Sequence, residues 1–416
     1  MATRTLGLTG RDYSTLAAWT SYVNALSLTE NEFLDVFNDG GAVVDTTQIT
    51  VGGWTANGFT VTMRPASGQG FGDNASKLTN ALRYNASNGA AFTNNVGYTD
   101  AYRLGSASLI VTGLQFIATA STAASTLKIW NGTTVNRCIF QRSSGAGYVV
   151  SQNGTNFTIN DSLLFHAGTG GGLQTTDTGV AINGCTIATT GGSGIGIAQT
   201  YSVNPVVRNT AVFGFSTDFQ NTAGGGSTNN ATDKVSFGGT GWGTSGQTGL
   251  SSADFENVSS GTADWRIKSG STKLINTGAG SVGSGSDVVG TTRGATFDIG
   301  AWEFASGGGS STAQGASLTA AVSMFGGSAS GGVASGSFTS EALIRNNGTL
   351  AASSALNYVR FYNTSTGALV LSKTGLSTNG AGVFTTTDAA LVSGTTYAID
   401  WEEATGQRRM PRKAAT

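Results

Sequence analysis

This sequence of 416 residues contains few charged side chains, 3 prolines, 2 cysteines and a single histidine. Charged residues make up 11% of the chain, against about a quarter in a typical soluble protein, and this shortage counts against long exposed helices. The net charge of −1 argues against nucleic-acid binding, since no bulk basic footprint is present. The two cysteines cannot supply a disulfide scaffold and lack zinc-ligand spacing.

Membrane and export signals are also missing from the sequence. No apolar run approaches the roughly 18 residues of a membrane span, and Met1-Ala-Thr-Arg-Thr lacks the basic and apolar regions of a signal peptide. We therefore expect no membrane insertion and no signal-dependent export. What the chain does contain is 63 glycines, many threonines, and 38% hydrophobic residues including 20 phenylalanines, a composition typical of short strands separated by turns.

An internal repeat decides between the all-β architectures. Five similar six-residue segments begin 23 to 25 residues apart, at Val111, Val135, Ile159, Ile182 and Val207. A period near 24 suits one coil of a parallel β-helix with three short strands, whereas a leucine-rich repeat would need a denser leucine framework and a helical arm. We therefore predict an all-β fold, a right-handed parallel β-helix.

The second residue of three segments is asparagine, at Asn136, Asn160 and Asn183. Stacked coils would place these side chains in a ladder, where each amide can hydrogen-bond to the next. Cys138 and Cys185 share another register position two coils apart, a separation of roughly 10 Å that lies beyond disulfide reach. We expect them to be free thiols in the core.

The first 40 residues predict a helical cap for the open end of the β-helix. Apolar residues from Ser14 to Val23 recur at helical spacing, with Asp12 or Ser14 as the capping residue. A second short helical pattern follows from Glu30 to Phe37. Such a cap would cover the exposed core and unpaired strand edges of the first coil.

Three motifs resemble bacterial and bacteriophage right-handed parallel β-helix proteins. These are Asp12-Tyr-Ser-Thr-Leu-Ala-Ala-Trp19, Ala263-Asp-Trp-Arg-Ile267 with the segment that follows it, and Asp298-Ile-Gly-Ala-Trp-Glu303. The resemblance covers residues 10–304 and implies that the last two motifs mark the final coils, so that Trp265 and Trp302 are structural. This chain departs from the family pattern at Thr272, where proline is usual, and at Asn276, where aspartate is common.

A second domain is predicted after a glycine- and serine-rich linker at residues 305–315. The domains are thus a helical cap at 1–40, a β-helix at 41–304 and an antiparallel β-sandwich at 316–416. Within the last, Tyr358, Arg360 and Tyr362 should face one way and Val359 and Phe361 the other. The turn beginning at Asn363 and the run from Leu391 to Tyr397 resemble immunoglobulin-like domains of phage structural proteins, which implies attachment or adhesion.

The candidates for catalysis are Asp161 and His166, since a hydrolase needs facing carboxylates, sometimes with a histidine. They lie five residues apart around a coil corner, and no neighbouring coil repeats the acidic residue. We therefore favour a structural interpretation, with Asp161 in a strand turn and His166 exposed or capping. Arg137, Arg142 and Arg208 occupy different register positions, which argues against a lyase site. No metal or cofactor site is expected.

Exposed aromatic rings are the other candidates for binding, because sugars stack on them. Trp130 and Tyr148 are the candidates for glycan contact.

These patterns predict a non-enzymatic structural component of a bacteriophage virion: a spike, a fibre or a capsid-decoration (head-fibre) subunit serving host attachment. It would be made in the host cytoplasm, form homotrimers, and bind other virion proteins and a host surface glycan. The alternative is a polysaccharide-degrading tailspike, a glycoside hydrolase or lyase.

Overall fold

The computed structural model describes the chain apart from residues 201–203, 281, 305–325, 331–335, 340–352, 354, 364–368, 381–383, 389–395, 404–407 and 410–416. The chain divides into two compact units, Met1–Gly309 and Ser310–Thr416. The predicted linker at 305–315 lies outside the described residues. No helix within the described part of the chain is long and apolar enough to cross a membrane.

The regular elements in the described part of the first unit are short strands, one α-helix, α1 (Leu16–Val23), and short 3₁₀ turns at Ala86–Asn88 and Ser252–Asp254. Its strands are β1 (Ala2–Leu6), β2 (Glu32–Val36), β3 (Val43–Asp45), β4 (Ile49–Val51), β5 (Val61–Pro65), β6 (Ala91–Asn94), β7 (Tyr102–Leu104), β8 (Leu109–Thr112), β9 (Gln115–Ala118), β10 (Ser125–Ile129), β11 (Thr134–Asn136), β12 (Ile139–Arg142), β13 (Tyr148–Gln152), β14 (Thr158–Asn160), β15 (Leu163–His166), β16 (Gly171–Thr175), β17 (Ala181–Asn183), β18 (Thr186–Thr189), β19 (Ile195–Gln199), β20 (Val206–Arg208), β21 (Ala211–Phe213), β22 (Thr217–Phe219), β23 (Ala231–Thr232), β24 (Phe255–Asn257) and β25 (Asp264–Ile267).

All but the last two of these strands form three parallel sheets. The first sheet has the order β1-β2-β5-β8-β11-β14-β17-β20, the second β3-β6-β9-β12-β15-β18-β21-β23, and the third β4-β7-β10-β13-β16-β19-β22. From β2 to β22, successive strands enter the first, second and third sheet in turn, so each of these coils adds one strand to every sheet, and β23 then extends the second sheet. This arrangement confirms the prediction of a parallel β-helix.

The interior is filled by apolar side chains that stack from coil to coil. The five residues that begin the sequence repeat pair in register along the first sheet and are fully buried: Val111, Val135, Ile159, Ile182 and Val207. In the second sheet Phe92, Phe116 and Phe140 stack with ring centroids 5.0 and 5.3 Å apart. Full burial of each such side chain stabilises the fold by roughly 1.5–3 kcal/mol.

The predicted asparagine ladder is confirmed on the outer side of the first sheet. Nδ2 of Asn160 donates to Oδ1 of Asn136 at 2.8 Å, and Nδ2 of Asn183 donates to Oδ1 of Asn160 at 2.9 Å. The residue after each ladder position turns the chain into the second sheet with a positive φ, as at Asp161 and Gly184. A Cβ on Gly184 would approach the Asp161 carboxylate to 2.4 Å, so glycine is required there.

The amino-terminal region contains the first predicted helix but not the second. Helix α1 buries Trp19 and Val23, and Thr15 caps it by accepting from the backbone N–H of Ala18 at 3.2 Å. The second expected helix, at 30–37, is instead strand β2 of the first sheet. Every second residue of Glu-Phe-Leu-Asp-Val is buried, which is the period of a strand. Pairing of this segment with β1 and β5 therefore prevails over its helical pattern.

Residues 250–304, here called the covering segment, do not form further coils, which corrects the expectation drawn from the terminal motifs. Strands β24 and β25 pair with each other in an antiparallel ladder. The covering segment packs on the outer face of the second sheet, where Trp265 lies 5.5 Å from Phe165 and 5.8 Å from Phe213 between ring centroids. Trp265 and Trp302 are buried core residues of this second apolar cluster.

A long loop between β5 and β6, residues 66–90, joins the covering segment over the same sheet. The backbone N–H of Leu82 donates to Oδ1 of Asp264 at 2.9 Å, and the N–H of Trp265 donates to the Leu82 carbonyl at 3.3 Å. Three further backbone groups of the loop, the N–H and carbonyl of Asn85 and the carbonyl of Gly89, bond to the buried amide of Gln115. This loop, here called the inserted loop, is therefore fixed to the β-helix.

The second unit is an antiparallel sheet. Its strands are β26 (Gly326–Ser330), β27 (Gly336–Thr339), β28 (Ala355–Asn363), β29 (Leu369–Lys373), β30 (Leu376–Ser377), β31 (Thr385–Asp388), β32 (Thr396–Glu403) and β33 (Arg408–Arg409). They pair in the order β29-β28-β32-β26-β27-β31, with β30 on β28 and β33 on β32. Val359 and Phe361 are fully buried while Tyr358, Arg360 and Tyr362 are half-buried, which confirms the predicted alternation.

Candidate functional site

Asp161 occupies the turn between β14 and β15 and is fully buried. Its Oδ1 accepts from Nε of Arg293 at 3.0 Å, and its Oδ2 accepts from the backbone N–H of Ser284 at 2.6 Å. Burial raises the pKa of this carboxyl, and the Arg293 guanidinium opposes the rise. The side chain thus binds the covering segment to the coil instead of facing an open groove.

His166 lies at the end of β15 and is also fully buried, so of the two expected states, exposed or capping, the ring is not the exposed one. Its Nδ1 accepts from the backbone N–H of Gly168 at 2.8 Å, so Nε2 carries the proton and donates to the Gly147 carbonyl at 3.0 Å. Burial and the charge of Arg142 lower the pKa of the imidazole to about 4. The ring is therefore neutral at pH 7 and serves to fix two glycine-rich turns.

The structure does not bring Asp161 and His166 together. Asp161 binds residues of the covering segment, whereas His166 binds the turns that connect the second and third sheets. A catalytic role for either residue stays a hypothesis. Among the described residues no group of three or more histidine, cysteine or acidic side chains is arranged to hold a metal ion.

The three arginines named from the sequence are dispersed in the structure as well. Arg142 is buried and donates to the carbonyls of Ser121 and Ala123 at 3.2 and 2.5 Å, while Arg208 donates to the Gly226 carbonyl at 2.8 Å. Arg137 sits in the turn after β11 with a positive φ. No shared site for an acidic sugar results from these side chains.

Trp130 and Tyr148 lie at opposite ends of the strands of the third sheet. Tyr148 pairs with Ser125, and Trp130 is five residues beyond Ser125, which offsets the two Cα atoms by on the order of 16 Å along the strand direction. Each half-buried ring lies against a glycine of an adjacent coil, Trp130 against Gly105 and Tyr148 against Gly171. A glycan contact at either ring stays a prediction, and any such contacts would be separate.

The two cysteines are free and fully buried, as expected. Burial raises the pKa of both Cys138 and Cys185 to about 12. Both therefore act as small core residues and not as reactive thiols.

A buried cluster of acidic residues surrounds Arg293, and the sequence motifs did not indicate its role. Nη1 of Arg293 donates to Oε2 of Glu303 at 3.1 Å, while Asp298 accepts from the backbone N–H groups of Asn276 and Phe304. Asp287 accepts from the N–H groups of three residues, including Glu303. The carboxylates of the motif Asp298-Ile-Gly-Ala-Trp-Glu303 thus fold the covering segment back on itself.

A second pair of carboxyl groups lies at the last coil, where Asp218 of β22 faces Asp233 after β23. Burial and the hydrogen bond to Asp233 raise the pKa of Asp218 to about 8, so this carboxyl is protonated at pH 7. Its Oδ2 accepts from the Thr232 hydroxyl at 2.5 Å, and Lys234 pairs with Asp233 at 2.7 Å. The sequence does not indicate this pair, because its two members belong to different coils of irregular length.

A pocket lies between the inserted loop, the second sheet and the covering segment. Its cavity volume is about 20 Å³, which is room for about one water molecule. Its lining residues are Phe71, Lys77, Asn80, Ala81, Leu82, Arg83, Asn88, Gln115, Ile139, Val289 and Trp302. The pocket thus combines apolar walls with two cationic and three amide side chains.

Comparisons with known proteins give little further information. No protein-family model matches this chain, and no curated protein matches it. Among solved structures, the crystal structure of pectate lyase Pel9A is similar, with 12% sequence identity, 73% of this chain and 96% of that chain covered, and a TM-score of 0.37. A likeness at this level assigns no activity to this chain.

Proposed function

We propose that this protein is a non-enzymatic structural component of the surface of a bacteriophage virion, a spike, fibre or decoration subunit. The observation that carries the proposal is the burial of Asp161 and His166, the two side chains best suited to chemistry by type. Both are fully buried and hydrogen-bonded to the fold, so they tie turns and the covering segment to the coils.

The three-sheet solenoid supports a mechanical role. Its parallel ladders connect every coil to the next, and its interior is packed with apolar side chains along the whole stack. Such a body is rigid because each strand inside a sheet is paired on both sides. We propose that the second unit is immunoglobulin-like and serves adhesion, with other virion proteins and a host surface glycan as partners.

Self-association is part of the proposal. The surface carries few charges, which favours packing of copies against one another, and we propose a homotrimer assembled in the host cytoplasm. Light scattering of the purified chain tests the oligomer and should give three times the mass of the 42.0 kDa subunit. Mass spectrometry of purified phage particles tests the location. Absence of the chain from particles would overturn the virion role, and a monomer would overturn the trimer.

The alternative is a polysaccharide-degrading enzyme, a glycoside hydrolase or lyase, with Asp161 and His166 as its candidate residues. The test is release of reducing ends or unsaturated sugars from host capsule by the wild-type protein. Release that is abolished by Asp161→Asn or His166→Gln in a variant that stays folded, and retained by Asp177→Asn, a change in a half-buried turn residue, would establish this enzyme in place of the structural role.

A further inference from the structure

The first unit contains five asparagine–glycine pairs, which begin at Asn57, Asn88, Asn131, Asn153 and Asn183. A glycine has no Cβ, so its backbone nitrogen can approach the side-chain carbon of the asparagine that precedes it. In sequence the five pairs are equivalent, because each carries the same amide and the same nitrogen. Any difference in their reactivity must therefore come from the fold.

The reaction of such a pair needs no reagent other than water. The glycine nitrogen bonds to Cγ of the asparagine, the Cγ–Nδ2 bond breaks, and the proton of the nitrogen leaves with Nδ2 as ammonia. Water then opens the cyclic imide. Cleavage of the new bond gives aspartate, and cleavage of the original main-chain bond gives isoaspartate. The side-chain amide and the following N–H must both be free, since hydrogen bonds to other groups hold the reacting atoms apart.

Two of the pairs are buried in the coils or in the inserted loop. Asn183 is buried, its Nδ2 donates within the asparagine ladder at 2.9 Å, and the N–H of Gly184 donates to the Arg208 carbonyl at 2.9 Å. Asn88 is half-buried and Gly89 is buried, which keeps solvent from the glycine nitrogen. Both pairs are therefore protected by the fold.

Two other pairs lie at the surface but have one reacting group in a hydrogen bond. Asn131 is exposed, yet the N–H of Gly132 donates to the Thr155 carbonyl at 2.9 Å. Asn57 is exposed as well, and its Nδ2 donates to the Leu28 carbonyl at 2.9 Å. In each pair a hydrogen bond must break before the ring can close.

Asn153 differs from the other four. It lies in the turn between β13 and β14, is exposed, and its side chain forms no hydrogen bond among the described residues. The N–H of Gly154 likewise has no acceptor within the described part of the chain. The surrounding main chain is held, since the N–H of Asn153 donates to the Ile129 carbonyl at 3.0 Å and the Gly154 carbonyl accepts from Nε2 of Gln152 at 2.6 Å. Both reacting groups are thus free in a turn whose ends are fixed.

We propose that Asn153 is a site of spontaneous covalent modification, at which the folded chain deamidates before any other asparagine–glycine pair of the first unit. The product adds a carboxylate beside Asp177 of the next coil, whose N–H donates to Oε1 of Gln152 at 3.2 Å. In the isoaspartate form the main chain gains a carbon atom before Gly154, which moves the Gly154 carbonyl away from Gln152. The modification goes beyond the proposed structural role and does not depend on it.

The experiment incubates the full-length protein in mildly alkaline buffer and follows all five asparagines by peptide mapping and mass spectrometry. Chromatography separates the aspartate and isoaspartate forms of each peptide. We expect Asn153 to convert about tenfold faster than Asn131 or Asn183, because the glycine N–H in these two pairs must first leave its hydrogen bond. In the same protein unfolded with urea, the five rates should converge.

The matched variant is Asn153→Gln, whose longer side chain would have to close a larger ring and should stay unmodified over the same period. The other four sites of this variant should keep their wild-type rates, which shows that the fold is intact. Equal or faster conversion at any of the other four sites of the folded wild type would overturn the proposal. So would an unmodified Asn153 over a period in which the unfolded chain reacts, or a preference for Asn153 that persists in urea.

Discussion

The guanidinium of Arg293 and the carboxylate of Asp161 form an ion pair of 3.0 Å in which both side chains are fully buried. The two residues are separated by 132 positions in the sequence, and the pair joins the covering segment to the turn after β14. Arg293 also donates to Glu303 and to the carbonyls of Asp298 and Gly300, so one side chain organises both the segment and its contact with the β-helix.

Loss of one partner of this pair should be strongly destabilising. Asp161→Ala leaves the buried guanidinium with Glu303 as its remaining carboxylate and the N–H of Ser284 without its acceptor, and we expect the free energy of unfolding to fall by about 3 kcal/mol. The measurement is urea unfolding followed by tryptophan fluorescence, since six of the seven tryptophans lie in the first unit. The combined change Asp161→Ala with Arg293→Met should cost less than the sum of the two single changes.

The control for that experiment is the pair of Asp35 and Arg64 on the outer side of the first sheet. Its N–O distance of 2.8 Å is similar, but the side chains are 21% and 40% exposed. Asp35→Ala should therefore cost only about 0.2–1 kcal/mol. Similar losses of unfolding free energy for Asp161→Ala and Asp35→Ala would contradict the conclusion that the buried ion pair of Arg293 stabilises the fold more than an exposed pair does.

His166 should make the fold sensitive to acid. Because its pKa is about 4 in the fold and near 6.5 when unfolded, the unfolded chain binds the extra proton first as the pH falls. The contribution of His166 to the free energy of unfolding should be fully present above pH 6.5. It should fall by on the order of 3 kcal/mol as the pH declines towards 4. The side chain in His166→Gln cannot titrate. The melting temperature of this variant should therefore fall less between pH 6.5 and pH 4 than that of the wild type. An unchanged slope in the variant would show that other groups cause the decline.

Asp218 should have the opposite dependence on pH. Its pKa is raised to about 8 in the fold, so the folded chain holds a proton that the unfolded chain releases near pH 4. This contribution to stability is present below pH 4 and is lost as the pH rises to 8. Asp218→Asn keeps a neutral side chain at every pH, so its melting temperature relative to wild type should rise from pH 5 to pH 8. Parallel curves for the two proteins would contradict the raised pKa of Asp218.

The asparagine ladder should contribute measurably to coil stacking. Asn160 both donates to Asn136 and accepts from Asn183, so Asn160→Ala removes two side-chain hydrogen bonds. We expect a loss of about 1–2 kcal/mol in the free energy of unfolding, since each bond contributes about 1 kcal/mol or less at a half-buried site. Asn153→Ala, at an exposed turn position without a side-chain bond, serves as the control and should change stability little.

The coils were predictable because their information is local and repeated. Val135 and Ile159 carry the same pattern at nearly the same spacing, and stacking copies of one pattern fixes the register. Strand β2 was not predictable in the same way, since five residues fit both a helical and a strand period and only pairing with β1 and β5 selects one.

The covering segment and the contacts of Asp161 depend on a different kind of information. Nothing in the neighbourhood of Arg293 or Asp161 indicates that the two meet, because the contact arises only after the intervening coils have formed. The motif that ends at Glu303 predicts a structural role for Trp302, and Trp302 is buried in the second apolar cluster. Its position on the outer face of the second sheet, however, required the three-dimensional structure.

The position of the covering segment also sets an order of events during synthesis. The ribosome synthesises the coils before residues 250–304. The outer face of the second sheet, with Leu163 and Phe165, is therefore exposed to solvent until the covering segment has been synthesised. If synthesis stalls in this interval, the nascent chain exposes an apolar surface to which chaperones bind and through which chains aggregate. When the Arg293–Asp161 ion pair forms, the covering segment shields this surface from solvent. Packing of the covering segment is therefore the last step in folding of the first unit.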